Sequence, residues 1–345
     1  MNRKTKLTLL GLAVSASLVG CTPTENTDQA NDITNTEQTQ STNADGNIEA
    51  NSALSDDTVV TIDTVRGDVD LPVNPHPIAV YDMTLMQDLA ALGVPVDGLP
   101  DNLPLDNLKA ADTPESKNPE SKKIGTLFEP DMEALNEMQP KAILVGSRMA
   151  EKYDTLNQMA PTLDLTLDTA NIYESSKQRL ADLGRLFDKE DKAQALQKDI
   201  DDAIAKAKAA SAGKGNGLVV LVNGNKLSTY GAESRFGFIH TVFGIPVADA
   251  EIKDSRHGQP ISFEYLQKIN PDWLFVLDRT SAIGEEGDGA EVVLDNPLVH
   301  QTKAWKNNNI VYLSPDSYLA FGGYYQWLKD ANLVAEKFTQ ADSTQ

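Results

Sequence analysis

One stretch of this chain occurs twice. Residues Glu133 to Arg148, EALNEMQPKAILVGSR, align without gaps to Glu264 to Arg279, EYLQKINPDWLFVLDR, at an offset of 131 positions. Glu, Leu, Pro, Val and Arg coincide at five of the sixteen positions, where average residue usage gives about one. Each copy reads as a helix with an early Glu, a Pro that begins the return, an apolar strand, and an Arg just beyond the strand. A duplicated helix–strand unit of this kind predicts two similar α/β lobes. Ligands of open α/β sheets bind at the C-terminal ends of the strands, so Arg148 and Arg279 are expected at a cleft between the lobes, one on each side.

The flanking pattern extends the same architecture. Short apolar runs at Ile78 to Tyr81, Ala142 to Val145, Leu218 to Val222, Trp273 to Leu277 and Ile310 to Leu313 alternate with helix-period segments near Thr84 to Leu92, Met149 to Gln158, Arg235 to Phe243 and Phe263 to Ile269. Such alternation predicts α/β layers with mostly parallel strands. Two more helical segments, Ser175 to Phe187 and a long charged Ala-rich one from Lys189 to Ala210, precede Gly213 to Gly217, and a last helix begins near Tyr324. The expected body is therefore an N-terminal α/β lobe over 58–188, one interlobe helix over 189–212 and a C-terminal α/β lobe over 213–345.

Ahead of that body, Arg3, Lys4 and Lys6 precede an apolar run from Leu7 to Val19, then Gly20 and Cys21, the single cysteine of the chain. Residues 1–20 read as a secretory signal. A lone Cys forms no intramolecular disulfide, and its place after Leu18, Val19 and Gly20 resembles the lipobox of bacterial lipoproteins, which implies lipidation of Cys21. At ~0.8 kcal/mol per buried methylene, several acyl chains anchor a protein without a transmembrane helix. Residues 21–57, rich in Thr, Asn, Gln, Asp and Glu and without aromatic, Lys or Arg, cannot bury enough apolar surface to fold and are expected to be a tether. The formal net charge of -21 excludes a basic nucleic-acid binder. It does not exclude an anionic ligand, because salt screens the tether and helix-surface acids over about 10 Å.

Arg235 is a third cation of interest. Tyr230 to Gly237 reads as a strand end, a turn and a helix start, with Ser234 as cap and Arg235 at the helix N-terminus, an end that already favours anions. A planar, permanently charged guanidinium suits an oxygen-rich anion. Each Arg alone also fits a solvated surface cation, or for Arg235 an ion pair with Glu233. His257, in a polar stretch before the Phe263 helix, and Tyr318, just after the strand ending at Leu313, follow the same edge logic; imidazole and phenolate are competent ferric-iron ligands, although simple packing or solvation also accounts for both. No nucleophile elbow, His-Glu-x-x-His pair or phosphate loop occurs. A binding protein is expected and an enzyme is not.

These residues resemble the periplasmic iron-siderophore-binding lipoproteins of bacterial ABC transporters, in particular the catecholate or enterobactin-type binders. The resemblance runs from about Val59 to Phe338 and is carried by GAESRFG at 231–237, His257-Gly258, Asn270-Pro271-Asp272 leading to Val276-Leu277-Asp278-Arg279, and Tyr318-Leu319-Ala320. It implies two lobes bridged by a rigid helix with restricted closure, no permanently bound cofactor, and a ferric catecholate siderophore held by Arg148, Arg235 and Arg279. His257 and Tyr318 would complete the iron coordination of a tetradentate ligand. It further implies a monomer, anchored in the periplasm, that docks through Glu133 and Glu264 onto a permease dimer served by a cytoplasmic ATPase. The alternatives are a hydroxamate siderophore, haem or a corrinoid as ligand, and, in another class, an anchored enzyme or a structural surface lipoprotein.

Overall fold

The computed structural model describes residues 58–101, 103, 121–253, 255 and 257–343; Cys21, the signal and the whole tether lie outside them. An antiparallel hairpin of β1 (Val59–Ile62) and β2 (Val69–Pro72) leads into the body. The first five-stranded sheet has the order β5-β4-β3-β6-β7. It is formed by β3 (Ile78–Val80), β4 (Gly98–Leu99), β5 (Lys122–Lys123), β6 (Ala142–Val145) and β7 (Thr162–Asp164), and every pair is parallel. The second has the order β10-β9-β8-β11-β12. It is formed by β8 (Gly217–Asn223), β9 (Lys226–Tyr230), β10 (Gln259–Ile261), β11 (Trp273–Asp278) and β12 (Ile310–Tyr312), and there β8-β9 and β9-β10 are antiparallel.

The sequence repeat is a structural repeat. Helix α2 (Met132–Met138) is capped by the Asp131 carboxylate, carries Glu133 in its first turn and ends at Gln139 with φ 51° and ψ 58°. Its counterpart Phe263–Ile269 is capped by the Ser262 hydroxyl, carries Glu264 in its first turn and ends at Asn270 with φ 51° and ψ 56°. A left-handed residue followed by Pro140 or Pro271 stops each helix, because Pro cannot continue it. The strands that follow, β6 and β11, are both fourth in their sheets, and both are buried on their apolar residues because each has neighbours on either side.

Other helices include α1 (Met83–Leu92), α3 (Ile172–Leu186), α4 (Glu190–Ser211), α6 (Pro315–Leu319) and α7 (Tyr324–Ser343), with the Phe263–Ile269 helix as α5. The interlobe helix has a partner that the sequence reading did not supply: α7 packs along α4 and also touches α1. One apolar core runs through both lobes, from Ile78 and Val80 to Val219 and Phe275. At its centre Trp327 is buried edge-on against Tyr173, Phe238 and Phe243, and its Nε1–H donates to Ser176 Oγ at 3.1 Å. Buried ion chemistry reinforces this junction. Asp88 on α1 accepts from Arg179 Nη2 at 2.8 Å and from the Tyr324 amide at 2.9 Å, and Arg179 also donates to Gly322 O at 3.2 Å.

Two helix expectations are corrected. Met149 to Gln158 is broken into a 3-10 turn, Ala150–Lys152, and a short helix, Tyr153–Asn157. The helix expected over Arg235 to Phe243 is only Phe238–Thr241, because residues 231–237 spend their backbone groups on turns, including Ser234 N to Gly231 O and Gly237 N to Ser234 O.

Candidate functional site

A cavity of about 2020 Å³ opens between the strand ends of the two lobes, and Arg148, Arg235, Arg279, His257 and Tyr318 all line it. The chain leaves β6 through Gly146 and Ser147. A Cβ at Gly146 would lie 2.3 Å from Asp82 Oδ2, so only glycine lets the strand exit pass the carboxylate that caps α1 through the Thr84 and Leu85 amides. Arg148, next along, places Nη1 3.9 Å from Asp82 Oδ2 and donates from Nη2 to Leu319 O at 3.1 Å, across the cleft.

On the opposite side β11 ends at Asp278, which caps the turn Arg279–Ala282 by accepting from Ser281 N. Burial pushes the Asp278 carboxyl up, but amide donors including Ser281 and Ala290 outweigh it and hold it below its ordinary range. Arg279 donates from Nε to Tyr318 Oη at 3.1 Å and from Nη1 to Asn223 Oδ1 at 3.0 Å, with Glu285 Oε2 at 3.3 Å.

Arg235 lies in a turn and not at a helix N-terminus, and Ser234 does not cap a helix there: its hydroxyl donates to Gly231 O. Its guanidinium is caged instead by aromatic faces, 4.3 Å from the Phe236 centroid, 4.7 Å from Tyr318 and 5.7 Å from Phe321. The Nε atom is buried without a hydrogen-bond partner. A donor in that condition costs free energy until an acceptor arrives, so the cage presents a preorganised cation with unused capacity.

Tyr318 is held from behind. Ser317 Oγ donates to both carboxylate oxygens of Asp330, at 2.7 and 2.8 Å, and Gln326 Nε2 donates to the same carboxylate. Burial pushes the Asp330 carboxyl up to about 7. Gln87 on α1 donates to Asp316 Oδ1 at 3.3 Å, and Lys329 pairs with that carboxylate. His257 sits in a turn closed by Gly258 N to Ser255 O. There Gly258 is at φ 75°, and a Cβ would meet the Tyr230 ring at 2.7 Å. His257 is exposed on the cavity rim and makes no hydrogen bond to another described residue.

The segment Pro315–Phe321 thus touches all three arginines: Leu319 O meets Arg148, the Tyr318 ring meets Arg235, and the Tyr318 hydroxyl meets Arg279. Glu133 and Glu264 lie apart from this cluster, exposed on the first turns of α2 and α5. The Ser262 hydroxyl and a backbone amide hold the Glu264 carboxyl below its ordinary range. Sequence reasoning missed Asp82, the Leu319 carbonyl, and the Phe236 and Phe321 walls of the cage. Only the aromatic spacing around Arg235 hinted at them, and it fitted a helix core equally well.

Among known proteins, a periplasmic binding protein family profile matches residues 78–317. The chain is 39% identical over 256 residues to the petrobactin-binding protein YclQ of Bacillus subtilis, covering 73% of this chain and 79% of that protein. It is 33% identical over 272 residues to the ferric-anguibactin-binding protein FatB of Vibrio anguillarum, covering 76% and 82%. The crystal structure of the periplasmic catecholate-siderophore binding protein VctP from Vibrio cholerae superposes with a TM-score of 0.72 at 27% identity, covering 82% of this chain and all of that one.

Proposed function

The chain belongs to the periplasmic binding protein family, and from that premise we propose that it is a siderophore receptor that hands a ferric catecholate complex to an ABC-type importer for iron uptake. The observation that supports this most is the convergence of Arg148, Arg235 and Arg279 on the one segment that carries Tyr318. The oxygens of a ferric catecholate spread negative charge over a rigid planar chelate, which guanidinium forks from three directions match. Charge-assisted hydrogen bonds of this kind contribute about 1.5–3 kcal/mol each. The cation excess favours such an anion over neutral hydroxamate complexes. Tyr318 and His257 supply a phenolate and an imidazole for iron positions that a tetradentate siderophore leaves open.

Around this site, Cys21 carries the lipid anchor and residues 21–57 hold the receptor at the periplasmic face of the membrane as a monomer. Glu133 and Glu264, one on each lobe at equivalent helix starts, dock onto basic residues of the permease. The shared core and the buried Asp88–Arg179 pair keep closure small, so the permease would recognise a nearly fixed spacing of the two carboxylates.

Titration with a ferric bis-catecholate tests the reading, with tryptophan fluorescence reporting affinity and the charge-transfer band reporting coordination. Replacing all three arginines by Ala is expected to abolish saturable binding. His257→Ala and Tyr318→Phe are each expected to shift the band; if both variants keep band and affinity, iron ligation by these residues is wrong.

A further inference from the structure

The cations that line the cavity are not equivalent. Arg66 is paired with Asp164 at 3.0 Å, Arg148 with Asp82 at 3.9 Å, Arg179 with Asp88 at 2.8 Å and Arg279 with Glu285 at 3.3 Å. Lys226 and Arg235 line the same cavity, and neither has a described carboxylate within ion-pair reach. Both belong to one stretch of chain, β9 and the turn after it. Strand periodicity explains why Lys226 faces the ligand space: Lys226, Ser228 and Tyr230 alternate onto the cavity wall. Leu227 between them packs into the core of the C-terminal lobe, and Thr229 Oγ1 donates to Val219 O at 2.8 Å. The two-residue turn at Gly224 and Asn225, with Gly224 at φ 54°, fixes this register by pairing Asn223 with Lys226.

We infer that Lys226 is the outer anchor of the anion site and selects ferric complexes whose siderophore backbone carries a carboxylate beyond the iron-binding oxygens. The inference rests on the siderophore reading above and adds a specificity to it. A lysine suits this role better than the inner arginines do. Its ammonium is a compact point charge on a flexible stem, which meets a freely rotating carboxylate without demanding planar geometry, whereas the inner guanidiniums match the planar chelate. Lys226 is exposed, so its contribution is modest, screened by salt, and felt largely in the association rate.

The test uses two ferric bis-catecholates of equal linker length, one with a carboxylate on the linker and one with the corresponding methyl amide. The unmodified protein is expected to prefer the carboxylate complex by roughly fivefold at low salt, with the preference shrinking as salt rises. Lys226→Ala should erase the preference, weakening the carboxylate complex several-fold more than the amide complex, and Lys226→Arg should retain it. A preference that survives in Lys226→Ala, or its absence from the unmodified protein, overturns the role of Lys226 and leaves the siderophore reading intact. Binding of neither complex by the unmodified protein overturns both.

Discussion

The two lobes start from the same sixteen-residue unit and put its arginine to different use. In the N-terminal lobe β3 passes directly into α1 and its neighbours run parallel, so the cleft edge is a helix cap. Asp82 serves the α1 amides and also sits beside Arg148, whose second branch reaches across to Leu319 O. In the C-terminal lobe β8 turns back on itself and β9 runs antiparallel. That edge becomes a strand face followed by an aromatic cage, which leaves room for two cations without carboxylates. One reversed strand thus divides the work: the N-terminal arginine ties the lobes together, while the C-terminal wall carries the free positive charge.

The largest effect should come from breaking the junction on which both walls depend. Arg179→Ala leaves Asp88 buried and uncompensated, a change that costs about 3–5 kcal/mol. Urea denaturation followed by tryptophan fluorescence should show that loss in a single transition; two separated transitions would mean that the lobes fold independently in spite of their common core. Next in size is the contrast between the walls. Arg235→Ala is expected to weaken ferric catecholate binding by about 1.5–3 kcal/mol, because its donors have no internal acceptor to return to. Arg148→Ala should cost less, about 1 kcal/mol, since Asp82 and Leu319 already occupy that guanidinium. Equal losses in a fluorescence titration would remove the distinction between a bridging and a ligand-facing arginine. The smallest effect on the isolated protein is expected at the repeat's own glutamates. Glu133→Ala and Glu264→Ala should change stability by under about 0.5 kcal/mol and leave ligand affinity intact, yet each should slow iron uptake by cells to a similar degree. An uptake defect from only one of them would break the symmetry between the lobes.

Much of the architecture was legible in the chain because it depends on local patterns. Helix Phe263–Ile269 and strands β6 and β11 follow from apolar periodicity and from Pro140 and Pro271, signals contained within a few residues, whereas the left-handed turns at Gln139 and Asn270 came only with the structure. Repeat alignment placed Arg148 and Arg279 just past equivalent strand ends, and the structure has them there, on the wall of one cavity. The stretch after Tyr230 departs from the expected helix for a physical reason. Phe236, Ile239 and Phe243 have helical spacing, but Phe236 is needed against Tyr230 and Arg235, and tertiary packing overrode a weak local preference.

By itself the sequence determined the two α/β units, the order of their elements and the candidate arginines, since periodicity, caps and duplication are properties of neighbouring residues. Only the tertiary structure decided what those arginines meet. The contacts of Arg148 with Leu319, of Arg235 with Phe321 and of Arg279 with Tyr318 join residues separated by 171, 86 and 39 positions, and no local rule specifies such pairings. They exist because α4, α7 and the core shared by the lobes hold the strand ends of both against one segment, and that packing also determines which cations are neutralised and which stay free for a ligand.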